Sequence, residues 1–265
     1  MRDGWQRRID RANDLGRADA RAAALLTQYA SILSAQAACY DAFVARGGRL
    51  TGSIEHDLAE LRAPAAAAFA TIRSSVPSQI AGAAPQDDAA IDELLKAGWR
   101  ESSIPFFARI VLQPYAEALA LLAASASASH PFRPEGRNLQ RTPGRAMCPF
   151  CEGPPQVSVL RNDSAADGGS RALICGTCST SWQVRRILCT ACGEEDERRL
   201  RYFRASEFEH MRVDACETCR HYLKAVDLTR LGLAVPVVDE VASAALDLWA
   251  TDHRYTKVTI NIIGL

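Results

Sequence analysis

The chain has 265 residues, of which 48% are hydrophobic, and its 31 Lys and Arg balance 31 Asp and Glu. That length suffices for one large domain or two modest ones, and the zero net charge excludes a general field for nucleic acid or an anionic membrane. The charged start, Met1 to Arg8, is followed by no apolar stretch, so no secretory signal is read there.

The first half has helical texture. Residues 20–44 lack Pro and Gly, and Leu25, Tyr29, Ile32, Leu33 and Tyr40 recur at helical spacing until Gly47-Gly48. Further helices are predicted over 54–74, with Pro64 as a kink or break, over 89–99, and over 105–124. These form an all-α bundle of four or five helices in a domain spanning 1–124. The longest apolar run, 110–124, is interrupted by Gln113, Pro114 and Glu117 and falls short of the roughly 20 residues of a membrane helix. A cytoplasmic protein without membrane insertion is expected. Cys39 sits in the Ala-rich helical pattern and reads as a small buried hydrophobe. Residues 125–146, with Pro131, Pro134, Gly136, Pro143 and Gly144 and little apolar content, read as a linker.

Eight of the nine cysteines fall in four CxxC pairs: Cys148/Cys151, Cys175/Cys178, Cys189/Cys192 and Cys216/Cys219. In a reducing compartment such pairs indicate metal ligation rather than disulfides. Twenty-three residues separate the first pair from the second, and 23 separate the third from the fourth. Adding 41 to each cysteine of the first set gives a cysteine of the second (148 + 41 = 189, 178 + 41 = 219). This internal repeat assigns four thiolates to each of two ribbons, 147–184 and 185–226, and each is expected to bind one ion tetrahedrally. Zinc and iron both suit such a donor set, and spacing does not choose between them. A closed zinc site would be structural, whereas iron would permit redox chemistry. Short strands are predicted at 157–160, 172–174, 182–184 and 200–203. His221, two residues past Cys219, is expected outside the saturated ligand set.

The segment 227–265 holds one predicted helix, 236–250. Pro236 stands at its start, Asp239 and Glu240 in its first turn, and Val237, Val241, Ala244, Ala245 and Leu248 form an apolar stripe. Asp247 falls off that stripe, solvated or in an ion pair. The tail 257–263 is β-branched and suits a strand. The fold class is α+β: a helical bundle, then two tandem rubredoxin-like or zinc-ribbon-like modules, then a C-terminal helix. No HExxH, GxSxG or phosphate-cradling glycine loop is present, so no catalytic residue is assigned. Residues 146–226 hold eleven Lys and Arg against eleven Asp and Glu, which disfavours a nucleic-acid-binding ribbon.

Several segments together resemble the formate dehydrogenase accessory (formation) protein family, FdhE. They are Cys148-Pro-Phe-Cys151, Cys175-Gly-Thr-Cys-Ser-Thr-Ser-Trp182, Arg185-Arg-Ile-Leu-Cys-Thr-Ala-Cys-Gly193, Cys216-Glu-Thr-Cys-Arg-His-Tyr-Leu-Lys224 and Val235-Pro-Val-Val-Asp-Glu240. Ala242-Ser, Leu246-Asp247 and Ser34-Ala-Gln36 are also similar. The resemblance is strongest over 147–250. It implies a cytoplasmic, non-enzymatic maturation factor with double rubredoxin-type sites holding iron, which binds the molybdopterin-containing catalytic subunit of formate dehydrogenase. An iron-dependent redox role on the same client is the alternative. Trp182, Arg185, Arg186, Tyr222, Lys224, Asp239, Glu240 and Asp247 match motif positions of the family and are the partner-binding candidates. The reading of their chemistry leaves packing and ion-pair roles open for them.

Overall fold

The computed structural model describes residues 2–101, 104–125, 146–162 and 169–264, with the side chains of Arg2 and Gln79 left aside. The chain divides into two compact units, Met1–Leu139 and Gln140–Leu265. Nearly all of the predicted linker, 126–145, lies outside the described residues.

The first unit is helical: α1 (Arg2–Ala18), α2 (Ala23–Arg46), α3 (Ile54–Arg73), α4 (Ser78–Ala81), α5 (Asp88–Arg100) and α6 (Phe106–Ser125). Helix α1 precedes the first predicted helix; it is rich in charge, and its narrow apolar stripe is Trp5, Ile9 and Ala12. It buries only a few residues, Trp5 and Ala12 among them. Pro64 neither kinks nor splits the element in a way that ends it, since α3 runs through it. The core joins Phe43, Leu61, Phe69, Leu95, Trp99 and Tyr115, with Trp99 and Phe43 edge-on to Tyr115. Polar contacts also cross this core. The Tyr115 hydroxyl donates to Asp57 at 2.6 Å, and the Gln36 amide donates to Gln113 at 3.0 Å. Buried polar groups must be paired in this way, because each orphan would cost about 1–3 kcal/mol. Cys39 is buried as expected, and burial pushes its thiol up to about 12.

Helix α6 is long and apolar enough to cross a membrane, but 67% of that stretch is buried inside the protein. It is the central helix of the first unit, and Arg109 and Gln113 on it are buried with the rest. Gly98 lets α5 approach it closely: a Cβ there would stand 2.6 Å from that of Ala108.

The second unit is built on one mixed sheet in the order β3-β2-β1-β6-β5-β4. Its strands are β1 (Pro155–Arg161), β2 (Ser170–Cys175), β3 (Ser181–Val184), β4 (Leu200–Phe203), β5 (Met211–Cys216) and β6 (His221–Asp227), with β7 (Thr256–Lys257) also on β6. Each repeat supplies an antiparallel trio. β1 then pairs in parallel with β6, in register Ser158↔Ala225 and Val159↔Val226, and fuses the trios. The 41-residue offset therefore runs through the strands as well. Moving β2 along by 41 gives Met211–Cys216, which is β5, and moving β3 gives residues 222–225 inside β6. The equivalents differ in burial because β3 is an edge and β6 is central: β3 is at most half-buried, whereas β6 is buried from Tyr222 to Asp227.

The C-terminal helix of the sequence reading is two helices, α7 (Pro236–Ala242) and α8 (Ala244–Asp252), broken at Ser243. The break turns Ala245 and Leu248 outward and Asp247 inward, contrary to the predicted stripe. Its cause is Lys224, whose ammonium is accepted by the Glu240 carbonyl and lies 3.4 Å from the Ser243 carbonyl. A cation at carbonyls freed from the helical ladder is favoured by the negative end of the dipole. The predicted tail strand shrinks to β7, after which Val258, Asn261 and Ile262 are buried.

Gly98→Ala should destabilise the helical unit by about 1–3 kcal/mol through overpacking. Adding Ala108→Gly should recover part of that loss, as read by denaturant unfolding of the single and double variants.

Candidate metal centre

The four cysteines of each repeat converge. Within each set, Cys148, Cys151, Cys175 and Cys178 or Cys189, Cys192, Cys216 and Cys219, all sulfurs lie within 4.8 Å of one another. Sulfur–sulfur contacts include 3.6 Å for Cys148–Cys178, 3.4 Å for Cys151–Cys175, 3.7 Å for Cys189–Cys219 and 3.8 Å for Cys192–Cys216. A disulfide requires about 2.05 Å. A metal–sulfur bond of about 2.3 Å in a tetrahedron places sulfurs about 3.8 Å apart. The donor sets thus have the spacing and the chemistry for one thiophilic ion each.

Local backbone geometry explains the convergence. The residue after the second cysteine of every pair has positive φ: Glu152 (57°), Ser179 (55°), Gly193 (79°) and Arg220 (58°). In three of the four turns that residue's N–H returns to the first cysteine's carbonyl, at 3.0 Å for Glu152, 2.9 Å for Gly193 and 2.9 Å for Arg220. Only one of the four positions is glycine, so the turn is held against an unfavourable backbone at the other three. Gly153 matters for another reason: a Cβ there would stand 2.9 Å from the Thr177 hydroxyl, 3.1 Å from the Cys175 sulfur and 3.3 Å from that of Cys151. The Thr177 N–H points at the Cys175 sulfur at 3.3 Å.

The thiols cannot all ionise side by side. Sulfur contacts within the first set hold Cys148 and Cys151 below the ordinary thiol range, while burial drives Cys175 and Cys178 well above it. In the second set burial raises Cys189, and it raises Cys219 to about 11. A dication is what would stabilise four thiolates together. The two sets differ in access: all four cysteines of the first are buried, whereas Cys192 and Cys219 of the second are half-buried. His221 stays outside the second set, its Nδ1 2.8 Å from the Cys219 carbonyl.

Five of the remaining sequence candidates are buried, and four of them meet in one place. Lys224, Glu240, Asp247 and Tyr222 share one buried cluster between β6 and the two C-terminal helices, joined by Lys257 from β7. Lys224 Nζ lies 2.5 Å from Asp247 and 3.2 Å from Glu240, and Lys257 Nζ lies 2.5 Å from Glu240 and 2.9 Å from Asp247. Tyr222 donates to Asp247 at 2.8 Å, and Gln156 and Asn261 donate to Glu240 at 3.1 and 3.0 Å. Two cations face two anions, and the remaining carboxylate lone pairs are hydrogen-bonded. Burial opposes ionisation of Glu240, but Lys224 and Lys257 override it and hold its carboxyl at about 2. Burial pulls Lys224 below the ordinary lysine range. Asp239 is also buried, 2.8 Å from His210 Nε2, and accepts the Val235 N–H at 2.7 Å to close the start of α7.

Trp182, Arg185 and Arg186 remain outside. Trp182 is half-buried against Leu173, Leu223 and Val258, Arg185 pairs with Glu195 at 2.7 Å, and Arg186 is exposed. Sequence reasoning missed Lys257, Asn261, Gln156 and Arg171. Arg171 is buried on β2, where it bonds the Ser158 hydroxyl at 2.9 Å and donates to the Leu188 carbonyl at 2.8 Å. It thereby ties down the connector between the repeats. A lysine at 224 where the 41-residue offset places Gln183 was the available signal for the buried cluster.

The fold and site define a two-unit protein: a helical unit and a fused double ribbon with two four-cysteine sets that could hold metal ions. Residues 147–186 match the FdhE central-domain model and residues 187–263 the FdhE C-terminal-domain model. These matches show FdhE family domains over residues 147–263, the cysteine-bearing part of the chain. A relative from Aquifex aeolicus, "Protein FdhE homolog", is 38% identical over 117 residues, covering 44% of this chain and 41% of that one. One of the same name from Pseudomonas putida is 28% identical over 225 residues, covering 81% and 63%. The chain thus spans 41–63% of the length of these two curated relatives. The crystal structure of the FdhE protein from Pseudomonas aeruginosa shares the fold, with a TM-score of 0.70 at 21% identity over 99% of this chain and 96% of that one.

Because Glu240 is held at about 2 against an ordinary 4.5, its contribution to stability is present above pH 4.5 and lost as the pH falls toward 2. Glu240→Gln should cost about 3–5 kcal/mol at neutral pH, since it leaves an unbalanced buried cation. The gap to wild type should narrow as the pH falls through that window, as measured by denaturant unfolding across pH.

Proposed function

We propose that the chain is a cytoplasmic, non-enzymatic accessory factor that binds the molybdopterin-containing catalytic subunit of formate dehydrogenase during its maturation, and that each four-cysteine set holds one ion. The observation that carries this reading is the FdhE match, which runs through both cysteine sets and ends at residue 263. The four-thiolate sets suit iron or zinc, and either ion would stabilise the paired knuckles. Trp182, Arg185 and Arg186 are the candidates left at the surface for the client, and they lie on or just after the edge strand β3. The five buried candidates support the reading differently, by fixing the sheet that carries both sets.

A redox reading has one observation in its favour: the second set's Cys192 and Cys219 are half-buried. With iron bound, such sulfurs would give electrons a short path to a partner. Reversible bleaching of ferric-thiolate absorption by a reductant would support it, and stoichiometric zinc after anaerobic purification would contradict it.

The accessory role predicts that the tagged chain co-purifies with the catalytic subunit, and that deleting its gene abolishes formate dehydrogenase activity. Full activity in the deletion strain would contradict it. Ion release to a chromophoric chelator should be biphasic, the fast phase coming from the half-buried second set. Cys216→Ala should remove the fast phase and Cys148→Ala the slow one.

A further inference from the structure

A cavity of about 460 Å³ opens beside the second cysteine set: Cys189, Cys216 and Tyr222 are part of its lining, but most of its wall belongs neither to that set nor to the buried cluster. That size falls within the range of about 300–1,000 Å³ typical of small-molecule sites. Six arginines line it, Arg171, Arg186, Arg201, Arg204, Arg212 and Arg230, and among the described residues no lysine does. They come from both repeats, from the connector between them and, for Arg230, from the segment after β6, so the cavity depends on the fusion of the two trios.

Its charge is not neutralised. Asp214 is shared by Arg171 at 3.3 Å and Arg212 at 2.6 Å, and Asp227 by Arg204 at 3.1 Å and Arg230 at 3.6 Å. Each carboxylate therefore leaves one positive charge over. Among the described residues neither Arg186 nor Arg201 forms an ion pair, although Glu217 lies near enough to Arg201 to feel its charge, and the acids of the lining are Asp214 and Glu197. Arg171 is buried, so this is not a fringe of solvated side chains alone. Guanidinium groups bind phosphate in a planar, two-pronged manner that lysine cannot reproduce.

One wall is apolar and aromatic. Tyr202 is 65% exposed with the Arg212 guanidinium 5.3 Å from its ring centroid, and Ile187, also in the lining, is 43% exposed. We propose that this cavity binds a phosphorylated small molecule bearing a flat ring, of the nucleoside diphosphate class, with its phosphates on the arginines and its ring on Tyr202. The proposal does not rest on the client-binding role, although Arg186 belongs to both surfaces.

Calorimetric titration of the metal-loaded full chain with ADP tests it, with inorganic pyrophosphate as competitor. ADP should bind and be displaced by pyrophosphate. Arg186→Gln with Arg201→Gln should weaken both probes by at least about tenfold. Tyr202→Ala should weaken ADP and leave pyrophosphate unchanged. Absence of binding by both probes at millimolar concentration would overturn the proposal, as would binding that the arginine variants do not alter. Capture of a Glu-rich peptide with neither probe bound would also overturn it and identify the cavity as a peptide site.

Discussion

Four sulfurs brought within 4.8 Å of one another, twice over, are the constraint from which the second unit follows. Each CxxC turn must close tightly enough to aim two sulfurs at one point, and that requirement forces a positive φ just after every second cysteine. Only Gly193 meets it without strain, so Glu152, Ser179 and Arg220 are held there by the structure around them. The strands between the knuckles are only four to seven residues long. Trios of that size bury little apolar surface, and small ribbons of this kind depend on metal in place of a large core.

The two repeats are not beads on a string. Parallel pairing of β1 with β6 makes them one sheet, and the buried Lys224, Lys257, Glu240 and Asp247 cluster pins the C-terminal helices and tail to that sheet. Such a cluster is a weak source of net stability, because taking the charges out of water costs about as much as their attraction returns. Its effect is on specificity. A shifted register would strand a buried charge, so the arrangement with Tyr222, Asn261 and Gln156 in place is strongly preferred. The same fusion creates the arginine-lined face, since neither repeat alone supplies both Arg171 and Arg201.

The cysteine sets were legible because the offset of 41 acts on residues whose chemistry leaves few alternatives, and the helices because α2, α3, α5 and α6 carry regular apolar periodicity. Helix α1 was not read, although Trp5, Ile9, Ala12 and Gly16 recur at helical spacing, because so few apolar residues stand among so many charged ones. Strands β5 and β6 were missed although the same offset maps β2 and β3 onto them. What hid β6 was Lys224: a lysine in mid-strand reads as solvent-facing, and only the approach of Glu240 and Asp247 from later in the chain makes it internal. The break at Ser243 was illegible for the same reason, because its cause is a side chain nineteen residues away. Lys224, Glu240 and Asp247 were partner-binding candidates with ion-pair roles left open, and their meeting in one interior cluster is the clearest instance of long-range pairing that local pattern cannot show.

The account stands on each four-cysteine set holding its own ion within one fused sheet. Native mass spectrometry of the anaerobically purified chain, with elemental analysis, tests that most directly. The account predicts two ions per chain, falling to one when either set loses a cysteine. A single ion shared by both sets, or a folded double ribbon carrying no thiolate-bound metal, would contradict it.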